Sequence, residues 1–227
     1  MPTDFNDFKD DYTHTIEEAI RYSGQPLDFF ARAKAEHLNS VIQAHRPTDR
    51  AVKILDVGCG HGLIHPYLAA ADSQLYGIDV AEEVVEIASE RNPQVDYRTF
   101  NGEMLPFDSA SFDVVFMICV LHHIPPSQWL NIVTEARRVL RTGGAFVVFE
   151  HNPLNPITQW IVRHNEIDAD AVLVHSGHLK KTLRAAGFGA SRRRFILFTP
   201  LAAPWAKALD RALGWLPLGA QYFTVAT

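Results

Sequence analysis

The residues most able to do chemistry begin at Gly58-Cys59-Gly60-His61-Gly62, which breaks the apolar run KILDV. Glycines at alternate positions permit a tight turn and let a ligand approach the backbone with no Cβ in the way. A helix that follows such a loop turns its free amides toward the same ligand. Two carboxylates flank the loop. Asp56 stands two residues before Gly58, and Asp79 ends the next apolar run about 20 residues on, where a carboxylate can accept both hydroxyls of a ribose. A second group follows two later apolar runs: His122-His123 after FDVVFMICVL, and Glu150-His151-Asn152 after AFVVFE. Histidine titrates near 6.5 when unperturbed, so one of the pair can take a proton from a hydroxyl at neutral pH. Glu150 and His151 are placed to orient an acceptor or that histidine. Imidazoles from His122, His123 and His151 are metal-ligand types, but the carboxylate set of a magnesium-dependent enzyme is not visible, and no metal is expected.

A nicotinamide dinucleotide is the first ligand to weigh. Its GxGxxG fingerprint needs a glycine three residues after Gly60, where this chain has Leu63. A pyrophosphate also has no use for an acid at Asp56, whereas an ammonium group does. Ribose recognition at Asp79 does not by itself separate the two cases.

The elements that must carry these residues alternate along the chain, the mark of a largely parallel sheet with helices on both faces. Strands are expected over 51–57, 74–79, 95–100, 112–119 and 145–150, and helices over 63–70, 81–91 and 127–140, with Gly143-Gly144 turning the last helix into a strand. In the tail, a helix over 178–186 precedes strands over 192–199 and 221–226. The prolines at 200, 204 and 217 leave no room for a full crossover, so an antiparallel hairpin is expected at the sheet edge. Residues 1–50, with helical patterns over 12–22 and 27–45, and residues 151–175 fall outside the alternation. Both are expected to fold as lids over the strand ends, where open α/β sheets bind ligands. The whole chain, 1–227, is expected to be one domain with a cofactor-binding core at 51–150. Residues 151–227 supply a substrate-side insertion and the hairpin.

Six segments in register, LDVGCGHG, GIDV, GEMLPF, SFDVV, VLHHI and RVLRTGG, resemble the class I S-adenosylmethionine-dependent methyltransferases. The resemblance is closest to the small-molecule enzymes whose fourth strand follows an LPF segment. It covers residues 50–150 strongly. It implies a Rossmann-like seven-stranded sheet, order 3-2-1-4-5-7-6 with strand 7 antiparallel, and S-adenosylmethionine as cofactor with S-adenosylhomocysteine as product. By the same resemblance, Asp56, Gly58 and Gly60 bound the methionine end, and Asp79 holds the ribose. Val80 lies on one face of the adenine and Gly102, Glu103 and Met104 on the other, and the backbone at Cys119 receives the ammonium. Cys59 and Cys119 are then small spacers. His61 stands where a smaller residue is usual, and either reaches the carboxylate or caps the following helix. Some family members that methylate hydroxyls use a histidine at the His122-His123 position, while many others carry the pair as a hydrogen-bonding scaffold under the cofactor. Tyr12 and Tyr22, on the first helical pattern, would close over the methionine tail.

Composition excludes other classes. The chain has 227 residues, 47% hydrophobic and 21% charged, with formal charge −5, which is ordinary globular usage. Its longest apolar run, Val114–Leu121, is too short for a bilayer span of about 20 residues. The acidic start MPTDFNDFKDD is unlike a signal peptide, and two cysteines make no disulfide framework. A cytoplasmic address is expected. Residues 180–227 hold eight basic side chains against one acid, leaving −12 elsewhere. Without aromatic interleaving this basic tail reads as solvated faces, not a nucleic-acid surface. The expected partner is a small-molecule acceptor, with oxygen ahead of nitrogen. A dinucleotide-dependent oxidoreductase and a non-catalytic partner subunit are the alternatives.

Overall fold

The computed structural model describes residues 24–68, 72–168, 170–201 and 203–227. Seven strands form one sheet: β1 (Val52–Val57), β2 (Ser73–Asp79), β3 (Asp96–Thr99), β4 (Phe112–Ile118), β5 (Leu140–His151), β6 (Ser191–Ile196) and β7 (Gln221–Ala226). Their order is β3-β2-β1-β4-β5-β7-β6. β1 to β5 pair in parallel, and β7 runs antiparallel to both β5 and β6. This is the order and the reversed strand that the family resemblance implies.

Among the described residues six α-helices cover the sheet: α1 (Leu27–Ala44), α2 (Glu82–Arg91), α3 (Trp129–Val139), α4 (Pro156–Arg163), α5 (Ser176–Ala185) and α6 (Pro204–Leu213). Side chains alternate across a strand, so each central strand feeds two cores. Val115 and Met117 meet Ile132, Val133 and Ala136 of α3 on one face. Val114 and Phe116 meet Ala35, Leu38 and Ile42 of α1 on the other. That double burial is why β4 reads as an unbroken apolar run.

Four expectations need correction. The segment over 63–70 is not an α-helix: residues His65–Tyr67 make a single 3-10 turn, and the backbone is extended again at Leu68. His65 turns inward to buried polar partners, which holds the turn tight. Gly143-Gly144 does not start a strand but lies inside β5, where pairing jumps from Phe112–Leu140 to Val114–Ala145. A Cβ on Gly144 would come within 2.8 Å of the Asp113 carbonyl, so the bulge needs a glycine there. α1 is a layer of the core, not a lid, because its apolar face is buried against the sheet. The 12–22 pattern, with Tyr12 and Tyr22, lies outside the described residues. Finally, β6 and β7 do pair antiparallel at the sheet edge as expected, but the prolines do not keep their connection irregular: it holds α6, with Pro204 in its first turn, where a missing amide costs nothing.

At the outer edge, β6 pairs only with β7, and its Arg192, Arg193 and Arg194 are exposed. Among the described residues no helix is long and apolar enough to cross a membrane.

Candidate active site

The glycine loop leaves β1 with Gly58, Gly60 and Gly62 all at positive φ (76°, 50° and 66°). The Gly58 and Cys59 amides donate to the Ile78 carbonyl at 2.8 and 3.0 Å. Gly60 N–H donates to Asp79 Oδ2 at 2.9 Å, and Ala81 N–H donates to Asp79 Oδ1 at 3.2 Å. Asp79 therefore ties the loop to the end of β2, and both its oxygens keep lone pairs for further donors. A Cβ on Gly58 would meet the Val120 side chain at 2.5 Å. Val120 belongs to the loop after β4, so the two loops are in contact.

Behind the loop lies a buried polar chain. Asp56 Oδ2 bonds His65 Nε2 at 2.9 Å, and His65 Nδ1 pairs with the Tyr97 hydroxyl. Asn92 Nδ2 donates to that hydroxyl at 3.0 Å and to the Gly62 carbonyl at 3.1 Å. The consistent assignment has His65 Nε2–H donating to Asp56 and Nδ1 accepting from Tyr97. Asp56 Oδ1 is buried and has no hydrogen-bond partner among the described residues. Burial pushes the Asp56 carboxyl up against the pull of His65. A cation at Oδ1 would relieve that cost, so the site fits an ammonium. His61 is buried, and burial followed by the charge of Arg91 lowers its pKa.

Beyond β2, Val80 is 52% exposed and Met104 64%. Gly102 sits beside Val80, at φ 78°, with a Cβ position 3.4 Å from Val80 Cγ1. Asn101 Oδ1 accepts from the Glu103 and Met104 amides at 3.0 and 3.2 Å, which shapes this turn. Two exposed apolar side chains and a bare glycine make a slot suited to a flat aromatic ring. A separate cavity of about 440 Å³, between Lys53, Arg98 and Phe107, touches Met104 but neither the glycine loop nor the histidines. Cys119 is half-buried at φ 57°, its amide bonded to the Phe149 carbonyl at 2.8 Å. Burial raises both cysteine thiols, which suits spacers and not nucleophiles.

His122 and His123 sit on a 3-10 turn, Leu121–His123, directly after β4. The Trp129 indole pins this turn by donating to the Leu121 and Ile124 carbonyls, each at 2.8 Å. His122 Nδ1–H donates to Glu150 Oε2 at 2.6 Å, and Leu121 N–H donates to Glu150 Oε1 at 2.9 Å. On the far side, His122 Nε2 faces Asp168 Oδ1 at 3.4 Å, and His123 Nε2 lies 3.5 Å from the same oxygen. Asn165 Nδ2 donates to the other Asp168 oxygen at 2.8 Å. Val172 N–H donates to the His122 carbonyl at 2.8 Å, which lays the insertion across the histidines.

This geometry sets the charges. Burial alone would discharge His122, but Glu150 and Asp168 overcome it and hold the imidazolium well above its usual range. Against burial, the facing His122 imidazolium holds Asp168 down to about 2. His123 and His151 go the other way, to about 4, through burial and then the His122 charge. His122 is wedged between two carboxylates that favour its charged form, which counts against it as the base of the pair. Asn152, by contrast, is spent on structure, donating to the Pro217 and Gly219 carbonyls.

Asp168, His65, Tyr97 and Asn92 were not singled out in the sequence. The acidic string Glu166, Asp168, Asp170 was the only hint of a carboxylate over the histidines.

Residues 55–148 match a family model described as a methyltransferase domain. An uncharacterized methyltransferase of Synechocystis is 35% identical over 104 residues, covering 45% of this chain and 49% of that protein. This chain thus spans about half of that relative's length. The ubiquinone biosynthesis O-methyltransferase of Rhizobium etli is 26% identical over 189 residues, covering 77% of this chain and 74% of its own length. A SAM-dependent methyltransferase from Archaeoglobus fulgidus superposes with a TM-score of 0.71 at 16% identity, covering 95% and 99% of the two chains. At that identity the likeness is one of fold.

Proposed function

We propose, from the match of residues 55–148 to a methyltransferase domain and from a fold shared with SAM-dependent methyltransferases, that the protein transfers a methyl group from S-adenosylmethionine to an oxygen of a small, lipid-like acceptor. When bound, S-adenosylmethionine supplies a methyl group on a positively charged sulfur and leaves as S-adenosylhomocysteine. In this reading Asp56 Oδ1 and the Cys119 backbone receive the ammonium, with His61 behind the loop. Gly58 and Gly60 give the methionine end its close approach. Asp79 accepts from the ribose, and Val80, Gly102, Glu103 and Met104 enclose the adenine.

The observation that carries the choice of oxygen is the cluster of His122, His123, Glu150 and Asp168 at the ends of β4 and β5. A hydroxyl must lose its proton as it attacks, and this cluster can hold a hydroxyl and receive that proton. His123 is neutral at pH 7 and its side chain is 16% exposed, so it is the imidazole open to an acceptor. His122 and Glu150 hold it in place, and His151 lines the wall. The rest of the chain's task is alignment and exclusion of water. The O-methyltransferase relatives support the same choice. A lipid-like acceptor is supported by exposed Leu154, Ile157 and Leu218, on segments joined by the Asn155 Nδ2 bond to the Leu218 carbonyl.

The test is product analysis. Phenols and catechols, with and without an alkyl tail, are incubated with methyl-labelled cofactor, and the products are located by mass spectrometry and NMR. The expected result is label on oxygen, with tailed acceptors preferred. Label only on nitrogen or carbon, or none across the panel, overturns the reading.

A further inference from the structure

The three atoms His122 Nε2, His123 Nε2 and Asp168 Oδ1 lie within 4.8 Å of one another. Their separations from the carboxylate oxygen are 3.4 and 3.5 Å. A tetrahedron with metal–ligand bonds of about 2.1 Å has edges of about 3.4 Å. The spacing is too long for a good hydrogen bond and right for sharing an ion. His122 Nε2 is buried and makes no hydrogen bond among the described residues, yet it points at the carboxylate.

Each flank is braced from behind. Glu150 fixes the His122 ring through Nδ1, and is itself held by the Leu121 amide. Asn165 fixes Asp168 through its other oxygen. Carboxylate behind imidazole, and an amide behind carboxylate, is the outer shell that orients metal ligands.

We infer that His122, His123 and Asp168 form a binding site for a divalent transition ion of the zinc or cobalt type, with at least one position left for an acceptor oxygen. Two imidazoles and one carboxylate select such ions over magnesium or calcium, which take oxygen ligands. The ion occupies the place of the Nε2 proton on His122. This departs from the expectation of no metal centre, because the completing ligand, Asp168, comes from the insertion and not from the histidine-bearing strand ends.

What the ion does rests on the O-methyltransferase reading; its binding does not. A hydroxyl coordinated at the open position releases its proton to solvent near neutral pH. The oxygen then forms its bond to the methyl carbon while the carbon–sulfur pair returns to sulfur. His123 is in that case a ligand and not a base.

The full chain, stripped of metal, is titrated with Co²⁺ by visible absorption and with Zn²⁺ and Mg²⁺ by calorimetry. One Co²⁺ or Zn²⁺ per chain with low-coordinate d–d bands, and much weaker Mg²⁺, is the expected result. Asp168→Asn and His123→Ala should each weaken binding by at least about tenfold, and Asn165→Ala by about tenfold through orientation alone. Thermal melts of the metal-free variants establish that each is folded; His123, the least buried ligand, keeps the test open if Asp168→Asn is not. No Co²⁺ bands, binding indifferent to both ligand variants, or preference for Mg²⁺ overturns the site. Undiminished O-methylation by stripped protein overturns the ion's role while the function stands. Ion binding without O-methylation of any acceptor overturns the function, and with it the ion's role, while the site stands.

Discussion

Asp79 has two duties. It anchors the Gly60 and Ala81 amides, and in the proposed function it also accepts from the ribose. Hydrogen bonds to a charged acceptor are each worth about 1.5–3 kcal/mol, and 1.4 kcal/mol is tenfold. Asp79→Ala should therefore weaken S-adenosylhomocysteine binding at least tenfold, measured by calorimetry with circular dichroism as the control. A change below threefold would place the ribose elsewhere. Gly58 also carries a structural demand, because its Cβ position is taken by Val120. Gly58→Ala should lower both melting temperature and cofactor affinity. Adding Val120→Ala, which removes the atoms at 2.5 and 2.9 Å, should recover part of the stability. No recovery would mean that the positive φ alone sets the cost.

At the scale of elements, Asp113 of the SFDVV segment is a clamp and not a site residue. It takes a two-pronged bond from Arg50 at 2.7 and 2.5 Å, the Lys53 amide at 2.8 Å and Arg141 at 3.2 Å, joining the starts of β1, β4 and β5. Burial opposes its charge, but Arg50 and the Lys53 amide win and lower the carboxyl's pKa. Its stabilisation is thus present above the unfolded value of about 3.9 and lost as pH falls through the native one. Asp113→Ala should cost about 2 kcal/mol at pH 7, a modest figure because Arg50 is partly exposed. In urea melts the gap from wild type should narrow as pH drops below 4; a pH-independent gap would refute the linkage. This clamp also shows what the sequence reveals. β1, β4 and β5 were legible because strands buried on both faces are mostly apolar, and the glycine loop because alternate glycines have few other uses. The 63–70 segment misled because Leu63, Ile64, Tyr67 and Leu68 have helical spacing, while the inward pull on His65 is a long-range effect. Gly143-Gly144 resembles a helix stop whether it ends a helix or opens a bulge. Asp168 was barely legible for a related reason: its partners are on other elements, and only the acidic string it belongs to marks it.

For the molecule as a whole, the proposed function lays the cofactor across the ends of β1, β2 and β4, so binding it should stiffen the entire sheet. A ligand at 100 times its Kd stabilises by about 2.7 kcal/mol, and for a chain of this size each kcal/mol moves the melting point by about 2–4 °C. Saturating S-adenosylhomocysteine should raise the Tm by about 5–11 °C in differential scanning fluorimetry, and a reduced nicotinamide dinucleotide should not. A larger shift with the dinucleotide would reverse the assignment.

The strand order also dictates a timetable. β6 precedes β7 in the chain, yet β7 lies between β6 and β5. During synthesis β6 therefore emerges before β7, its partner among the described residues, with its ladder groups open to water. Three consecutive arginines, Arg192 to Arg194, stand on that waiting strand with their side chains exposed. Charged side chains are how natural proteins keep an open strand edge from pairing with a stranger. In the folded protein β6 remains a sheet edge, so the same three arginines guard its open side, a use for this part of the basic tail that needs no anionic partner.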